Sequence, residues 1–148
     1  MKVYFFSSTS TEHVKIAVER KLWAIHNPTD RLHANLATRA SKMLPGEHGL
    51  FYLSKHKKVF TVPFVVRSSP KDEAVEKGIW PGDWHFPFSI EPLGLPSRSI
   101  DWEYAKRHWI SLDGDSNPQA YLHLSGSHSF VAAEIDETDW AQIIATLC

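Results

Sequence analysis

Hydrophobic positions in the first part of the chain follow two periods, one typical of strands and one typical of helices. The β-branched and aromatic run at 2–6 predicts a buried strand. Apolar residues then recur at helical spacing over 14–22, with Ser10 or Thr11 available as the N-cap. A helix is therefore predicted that stops at Trp23.

A second helix is predicted over 31–43, because apolar residues again share one face and Thr29 or Asp30 can cap its start. The segment 23–28 between the two helices is interpreted as a connector. Pro28 supports this interpretation, since a proline disfavours helical backbone at the residue before it.

The middle of the chain predicts a hairpin followed by a half-buried strand. Residues 50–53 and 59–67 are rich in β-forming side chains and are separated by a basic tip at 54–58. Pro63 lacks the N–H group that a ladder needs, so it is expected at a sheet edge or a bulge. Residues 85–93 alternate apolar and polar side chains, which is typical of a strand buried on one face.

The remaining segments predict shorter elements. They are a short helix over 71–77, a helical turn over 102–107 capped by Asp101, short strands over 109–112 and 130–135, a strand or turn over 119–124, and a final helix from Asp136 or Thr138 to Leu147. Several antiparallel-type strands with three to four helices, and no long βαβ alternation, indicate an α+β fold whose sheet curls into a small barrel. We expect residues 1–148 to form one domain with a single core.

Charge and cysteine content narrow the classes of function. The net charge is −1 with nine histidines counted neutral, so there is no overall cationic field of the kind that drives sequence-independent nucleic-acid binding. Cys148 is the only cysteine, which excludes an internal disulfide and Cys-rich zinc motifs and fits a reducing compartment. The apolar run at the start is too short for a signal peptide, so a cytoplasmic location is expected.

Candidate chemistry concentrates in one stretch near the N-terminus. The turn at 7–11 supplies hydroxyls and free backbone amides, and Trp23 offers an aromatic plane where the helix stops. The chain also has six tryptophans, more than one small core needs. We interpret this stretch as half of a pocket for a flat ligand.

The order and spacing of four segments resemble those of YTH and EVE domains, PUA-like relatives that read modified bases. The four are FFSSTSTEHVKIAVERKLW, LHANLATRASKML, GLFYLSKHKKVFTVPFVV and WPGDWHFPFSIEPL, the last closer to the prokaryotic EVE-like side. The likeness covers 2–98. It implies a PUA-like curled mixed sheet and a non-catalytic reader, which extrudes a base and stacks it between aromatic rings at roughly 1–3 kcal/mol per base.

The resemblance also implies which residues bind the base. Trp23 matches the first tryptophan of the family's aromatic cage. The second should come from the loop at 68–84, where Trp80 is favoured over Trp84 because its surroundings predict an exposed loop. The implied base-binding set is Ser8, Thr9, His13, Trp23, Ala24, Trp80 and Trp84. Simpler structural roles stay open, namely core packing for the tryptophans, helix capping for the hydroxyls and a solvated position for the histidine.

His13 departs from the family pattern, because YTH domains carry an asparagine there that bonds a ring nitrogen of the purine. A neutral imidazole presents one group per nitrogen, and its charge changes near neutral pH. The base therefore stays open between methyladenine in RNA, methyladenine in DNA and a modified cytosine.

The expected partner is a nucleic acid that carries a modified base, here taken to be methylated. Reader domains of this type often sit beside nucleases or translocating NTPases, so an effector of either kind, recruited in trans, is a candidate partner. No membrane, cofactor or metal is expected. Phosphate contacts are predicted for Lys55, Lys57, Lys58, Arg67 and Arg98.

Two other classes of function compete with a reader. Some PUA-like relatives, the ASCH-type amidohydrolases, process modified nucleosides, and Glu12-His13 beside Ser8 and Thr9 would have to supply that chemistry. Alternatively, the chain is a protein-interaction module. Its contact surface would then come from aromatic residues that otherwise complete the core: Trp102, Tyr104, Trp109 and Tyr121.

Overall fold

The computed structural model describes all residues from 1 to 148 and contains eight strands and five helices. In chain order they are β1 (Lys2–Ser8), α1 (Thr11–Arg20), β2 (Leu22–His26), α2 (Asp30–Ala40), β3 (His48–Leu53), β4 (Val59–Val66), β5 (Val75–Glu76), β6 (Trp84–Pro92), β7 (Ser99–Asp101), α3 (Trp102–His108), α4 (Pro118–Tyr121), β8 (Ala132–Glu134) and α5 (Glu137–Leu147). Short 3₁₀ turns lie at Ile110–Leu112 and Gly126–His128. The predicted α+β class is confirmed, with five helices rather than three to four.

All strands belong to one curled mixed sheet in the order β2-β6-β4-β3-β1-β8, with β5 added to β6 and β7 added to β4. Only β1 and β3 pair in parallel. The end strands β2 and β8 do not pair with each other, so the sheet forms a half-barrel rather than a closed barrel. None of the helices is long and apolar enough to cross a membrane.

The sheet is apolar on both faces, which gives two hydrophobic clusters instead of the single core expected. Successive side chains of a strand point to opposite faces. In β1, Tyr4 and Phe6 join the cluster that packs α1, α2 and β2, whereas Val3 and Phe5 join the cluster that packs α3 and α5. The N-terminal helices thus cover one face and the C-terminal helices cover the other.

The first helix ends before the predicted position, and this changes the element to which Trp23 belongs. Helix α1 ends at Arg20 because Lys21 adopts a left-handed conformation with φ 52°. The chain then enters β2, so the predicted connector at 23–28 is mostly a strand, antiparallel to β6. Trp23 therefore lies in the sheet.

Three shorter elements also differ from the prediction. The segment 71–77 contains the two-residue strand β5, which pairs with β6, instead of a helix. Residues 109–112 contain a 3₁₀ turn instead of a strand. A strand or turn is predicted at 119–124, but the first residues of this segment belong to the helix α4, which Asn117 caps.

The basic-tipped hairpin and its bulge are confirmed. Strands β3 and β4 pair antiparallel, and their register shifts between Leu50 and Phe51, opposite Pro63 and Thr61. Val62, beside the proline, has φ 48°. The bulge accommodates the residue that cannot donate a ladder hydrogen bond.

Gly49 in β3 leaves room for the aromatic ring of Phe64, its partner in β4. A Cβ atom at this position would lie 2.2 Å from Cζ of Phe64, a ring with no exposed surface. We expect Gly49→Ala to lower the free energy of unfolding by about 1–3 kcal/mol, because the ring has no room to shift. Denaturant unfolding measures this change.

The matched control is Gly126→Ala. A Cβ atom there meets no heavy atom within 4 Å, so stability should stay close to that of the wild type. An equal loss in both variants would show that close packing against Phe64 is not the cause.

Candidate functional site

A pocket with a volume of about 370 Å³ opens where β1 passes into α1. A volume of this order suits a small organic ligand. Four segments surround the pocket: 6–9 with His13, 23–29 with Leu32, Trp84, and the pair Gly126 and Ser129. The pocket therefore combines the N-terminal stretch predicted as half of a site with β2, β6 and a C-terminal loop.

The hydroxyl-rich turn forms one edge of the pocket. The Ser8 hydroxyl donates to the Ser10 carbonyl at 3.2 Å and accepts from the Ser10 amide at 3.1 Å. Ser10 caps α1 by accepting from the His13 amide at 3.2 Å. Ser7 donates to the carbonyl of Leu124, which ties the C-terminal loop to the turn. Thr9 lines the pocket and is exposed, so its hydroxyl and amide can reach a ligand.

Three indole rings meet behind this turn. Trp23 and Trp84 line the pocket and lie edge to face, with ring centroids 5.5 Å apart and planes at 68°. Trp80 packs against both of them, with centroids 5.5 Å from Trp23 and 4.8 Å from Trp84. The buried Ala24 lies beside Trp23 and lines the pocket too.

The expectation that Trp80 is exposed is wrong. Its side chain is 2% exposed, and its indole N–H donates to the His13 carbonyl at 3.0 Å. A buried indole needs a partner for its N–H, and the first turn of α1 supplies one. The structure therefore places Trp84, and not Trp80, on the pocket wall.

His13 is half-buried and contacts Trp84 edge to face, with ring centroids 5.4 Å apart. Burial lowers the pKa of His13 below the ordinary histidine value, the neighbouring His26 lowers it further, and Glu12 partly opposes the shift. The imidazole is therefore neutral at pH 7. In that state one ring nitrogen donates a hydrogen bond and the other accepts one.

The lowered pKa of His13 predicts how stability depends on pH. The unfolded chain binds the proton near pH 6.5, whereas the folded protein binds it only at lower pH. The free energy of unfolding should therefore fall as the pH drops from 6.5 through the folded pKa. Urea unfolding at pH 7.5 and 5.5 should show a smaller fall for His13→Gln than for the wild type.

Part of the fall should persist in His13→Gln, because burial and the nearby His128 and Arg39 also lower the pKa of His123. An identical fall in both proteins would contradict the shift assigned to His13. If the free energy of unfolding falls with urea concentration at the same slope in both proteins, the two unfold to similar extents.

The lysines of the hairpin tip lie at the pocket end of the sheet. Strands β1 and β3 run parallel with Ser8 opposite Leu53, and the Ser54 amide donates to the Ser8 carbonyl at 3.0 Å. Lys55, Lys57 and Lys58 therefore follow directly on the end of β3 that adjoins the pocket. Lys57 also contacts the Asp101 carboxylate at 3.1 Å, in an exposed ion pair.

The structure does not bring the two predicted arginines to the pocket. Arg98 donates to the Cys148 carbonyl at 2.5 Å and lines a separate depression with Leu95 and Leu147. Arg67 follows the end of β4 that is distant from the hairpin tip, and its amide donates to the Ser89 carbonyl at 2.8 Å.

Sequence reasoning missed the part of the pocket that β2 and the residues after it supply. Ile25, His26, Asn27, Pro28 and Thr29 all line the pocket. The alternation in LWAIH was available as a strand signal, but it is short and precedes a proline. Gly126 and Ser129 carry no comparable signal, because only the fold brings their loop to the pocket.

The geometry supplies stacking surfaces and hydrogen-bonding groups rather than a catalytic pair. The Ser8 hydroxyl makes its hydrogen bonds with the Ser10 backbone and makes none with His13 or Glu12. No group of three or more His, Cys, Asp or Glu side chains comes together as metal ligands. Of the four aromatics of the interaction-module alternative, Trp102 and Trp109 are internal, Tyr121 is half-buried and Tyr104 is 42% exposed, so they do not form one exposed aromatic surface.

No protein-family model matches the chain, and no curated protein sequence matches it. Solved structures do resemble it. The YTH domain of Zygosaccharomyces rouxii MRB1, in complex with N6-methyladenosine RNA, has a TM-score of 0.64 and 14% identity over 99% of this chain and 88% of that one. The Pho92 YTH domain, in complex with m6A, has a TM-score of 0.59 and 19% identity over 99% and 82%.

The Toxoplasma CPSF4 YTH domain, in complex with a 7-mer m6A-modified RNA, has a TM-score of 0.56 and 13% identity, over 99% of this chain and 89% of that one. All three are YTH domains solved in complex with m6A or with RNA that contains it. The chain therefore has a fold of the YTH type. At these identities the likeness shows the fold alone, and the closeness to EVE domains stays a prediction.

Proposed function

We propose that this protein reads a modified base in single-stranded nucleic acid and binds that base, extruded from its strand, in the pocket beside Trp84. N6-methyladenine in RNA is the first candidate. The observation that carries the proposal is the pocket itself, where two tryptophans, a hydroxyl-rich turn and a neutral imidazole converge. The neighbours of the same fold were solved with N6-methyladenosine, which supports the choice of base.

Two kinds of contact would hold the base in this pocket, namely stacking on aromatic rings and hydrogen bonds to the edge of the base. Stacking on an aromatic side chain contributes roughly 1–3 kcal/mol per base, and extrusion costs a few kcal/mol. The turn with Ser8 and Thr9 presents hydroxyl and backbone groups to the edge of the base. His13 offers one donor and one acceptor in place of the asparagine of YTH domains.

A methyl group on the base adds apolar surface that leaves water on binding. Burial of one such group contributes roughly 0.8 kcal/mol, or about a fourfold preference. Trp23 and Ala24 supply the apolar wall for this group and are 2% and 0% exposed. The exclusion of water from the pocket must supply any greater selectivity.

The lysines beside the pocket provide a local cationic patch for the strand. The variant with Lys55, Lys57 and Lys58 all replaced by alanine should bind methylated RNA several-fold more weakly. Its binding should also depend less steeply on salt, because the logarithmic slope falls by about 0.7 for each phosphate of a single strand that is no longer neutralised. Titrations at several salt concentrations measure both quantities.

The matched control for the lysine variant is Arg98→Ala, because the Arg98 side chain is bonded to the C-terminal residue and lies away from the pocket. It should leave the slope unchanged. A slope that responds to Arg98 but not to the lysines would move the path of the nucleic-acid strand to the depression that Arg98 lines beside Leu147.

The proposed function is tested with short single-stranded RNA and DNA oligonucleotides, each unmodified or modified at one adenine or one cytosine. We expect the tightest binding to the RNA with N6-methyladenine. Preference for modified DNA or modified cytosine would support a reader function but would assign it a different nucleic acid or base. Release of a modified nucleoside would favour the hydrolase alternative, and equal binding of all oligonucleotides would favour the interaction module.

A further inference from the structure

The imidazole of His26 covers part of Trp84 in the free protein. The two rings are stacked, with centroids 4.7 Å apart and planes at 28°. Their stacking follows from the sheet, because His26 at the end of β2 pairs directly with Trp84 at the start of β6. Aromatic rings in contact lie about 4.5–7 Å apart, so no third ring fits between these two. A base therefore cannot stack on this part of Trp84 while the imidazole is there.

Stacking is the main contact that holds the His26 side chain. The residue is exposed at the mouth of the pocket, and its imidazole makes no hydrogen bond within the protein. The backbone beside it is anchored instead, since the Asn27 amide donates to the Asp83 carbonyl at 2.9 Å. The side chain can thus rotate away from Trp84 without breaking a hydrogen bond or disturbing β2.

Gly82 makes room for the stacked imidazole. A Cβ atom at Gly82 would lie 2.7 Å from Nε2 of His26, and the φ of 94° at this residue also favours glycine. The loop before β6 therefore accommodates the ring in its stacked position.

We propose that His26 occupies the base-stacking surface of Trp84 in the free protein and that an extruded base binds by displacing it. This proposal rests on the proposed function, because it names the step by which the same pocket opens. The exchange replaces one stacked ring with another. It therefore favours ligands that stack more extensively than an imidazole, which are purines before pyrimidines and methylated before unmethylated purines.

Only molecules in which the His26 ring has left Trp84, here called the open state, can stack the base. The observed association constant is therefore the intrinsic constant multiplied by the fraction of open molecules. For a minor open state of about one tenth, removal of the ring should strengthen binding about tenfold. His26→Ala should therefore bind methylated RNA more tightly, and it should discriminate less against weakly stacking bases. His26→Phe keeps a flat and more apolar ring on Trp84, so it should bind more weakly than the wild type.

The binding test uses a short single-stranded RNA with one N6-methyladenine and its unmodified twin, on the wild type, both His26 variants and His108→Ala. The last is a matched control, because His108 is also exposed and packs on an aromatic ring, Tyr104, at 4.2 Å on the remote helix α3. Tighter binding by His26→Ala alone is the expected result. Unchanged or weaker binding by His26→Ala, in a protein with the wild-type melting temperature, overturns the proposal.

A second measurement follows the His26 ring itself by NMR. The ring protons should lie upfield in the free protein because of the Trp84 ring current, and they should move toward unstacked values on addition of methylated RNA. If the ring-proton signals of His26 stay upfield in the complex, the ring is not displaced. This result would overturn the displacement but not the proposed reader function. Absence of binding by the wild type and by His26→Ala would instead overturn the proposed function and this proposal together.

Discussion

Trp84→Ala is expected to weaken binding of RNA that contains N6-methyladenine by roughly 5- to 150-fold, the range that corresponds to a loss of 1–3 kcal/mol of stacking. Trp84 lies on the pocket wall and packs against three other rings that line the pocket. It contacts Trp23, His13 and His26, and it is 4% exposed. Loss of its ring removes the stacking surface and the support for both histidines. Titration with fluorescently labelled RNA measures the change.

The same substitution lowers stability, because truncation of a buried tryptophan costs about 3–5 kcal/mol. Trp102→Ala separates the two effects. Trp102 is 7% exposed and packs against Tyr52 and Phe60 in the cluster on the other face of the sheet. Both variants should melt at lower temperatures than the wild type. Below both melting temperatures only Trp84→Ala should lose affinity, and equal affinities would remove Trp84 from base recognition.

The N-terminal part of the site could be predicted from the sequence because its residues are close along the chain. A strand, a hydroxyl-rich turn and a helix form a local unit with recognisable propensities. That unit places Ser8, Thr9 and His13 together, and the structure lines the pocket with all three. The hairpin and the bulge at Pro63 were predictable for the same reason.

The opposite wall could not be predicted, because it depends on contacts between distant segments. Residues 22–26 form a strand through pairing with β6, and this pairing carries His26 to Trp84. Trp80 and Trp84 are both buried, and both donate their indole N–H to a backbone carbonyl, Trp80 to His13 and Trp84 to Pro81, so only the fold places Trp84 on the pocket wall and Trp80 behind it. The sequence carries a short strand signal in LWAIH, but nothing in it specifies the partner strand or the positions of the two tryptophans.

The C-terminal third illustrates the same limit. The apolar residues at 109–112 predict a strand, but Ile110–Leu112 forms a 3₁₀ turn. It turns instead because a carboxylate from α5, almost thirty positions further along the chain, accepts its backbone amides. Local propensity is weak in so short a segment, and the tertiary hydrogen bonds decide its conformation.

That carboxylate belongs to Asp139, and Asp139→Ala is expected to lower the free energy of unfolding by about 3–5 kcal/mol. Asp139 is 2% exposed and accepts from the amides of Ile110 and Ser111, at 2.9 and 2.7 Å, and from the Ser111 hydroxyl. Hydrogen bonds to a charged group contribute about 1.5–3 kcal/mol each, and alanine leaves these donors without their partner.

Glu137→Ala removes an exposed carboxylate from the same turn of α5 and should change stability by only about 0.5 kcal/mol. Urea unfolding of both variants measures the difference, and a loss below about 1 kcal/mol for Asp139→Ala would show that water replaces the carboxylate at the turn.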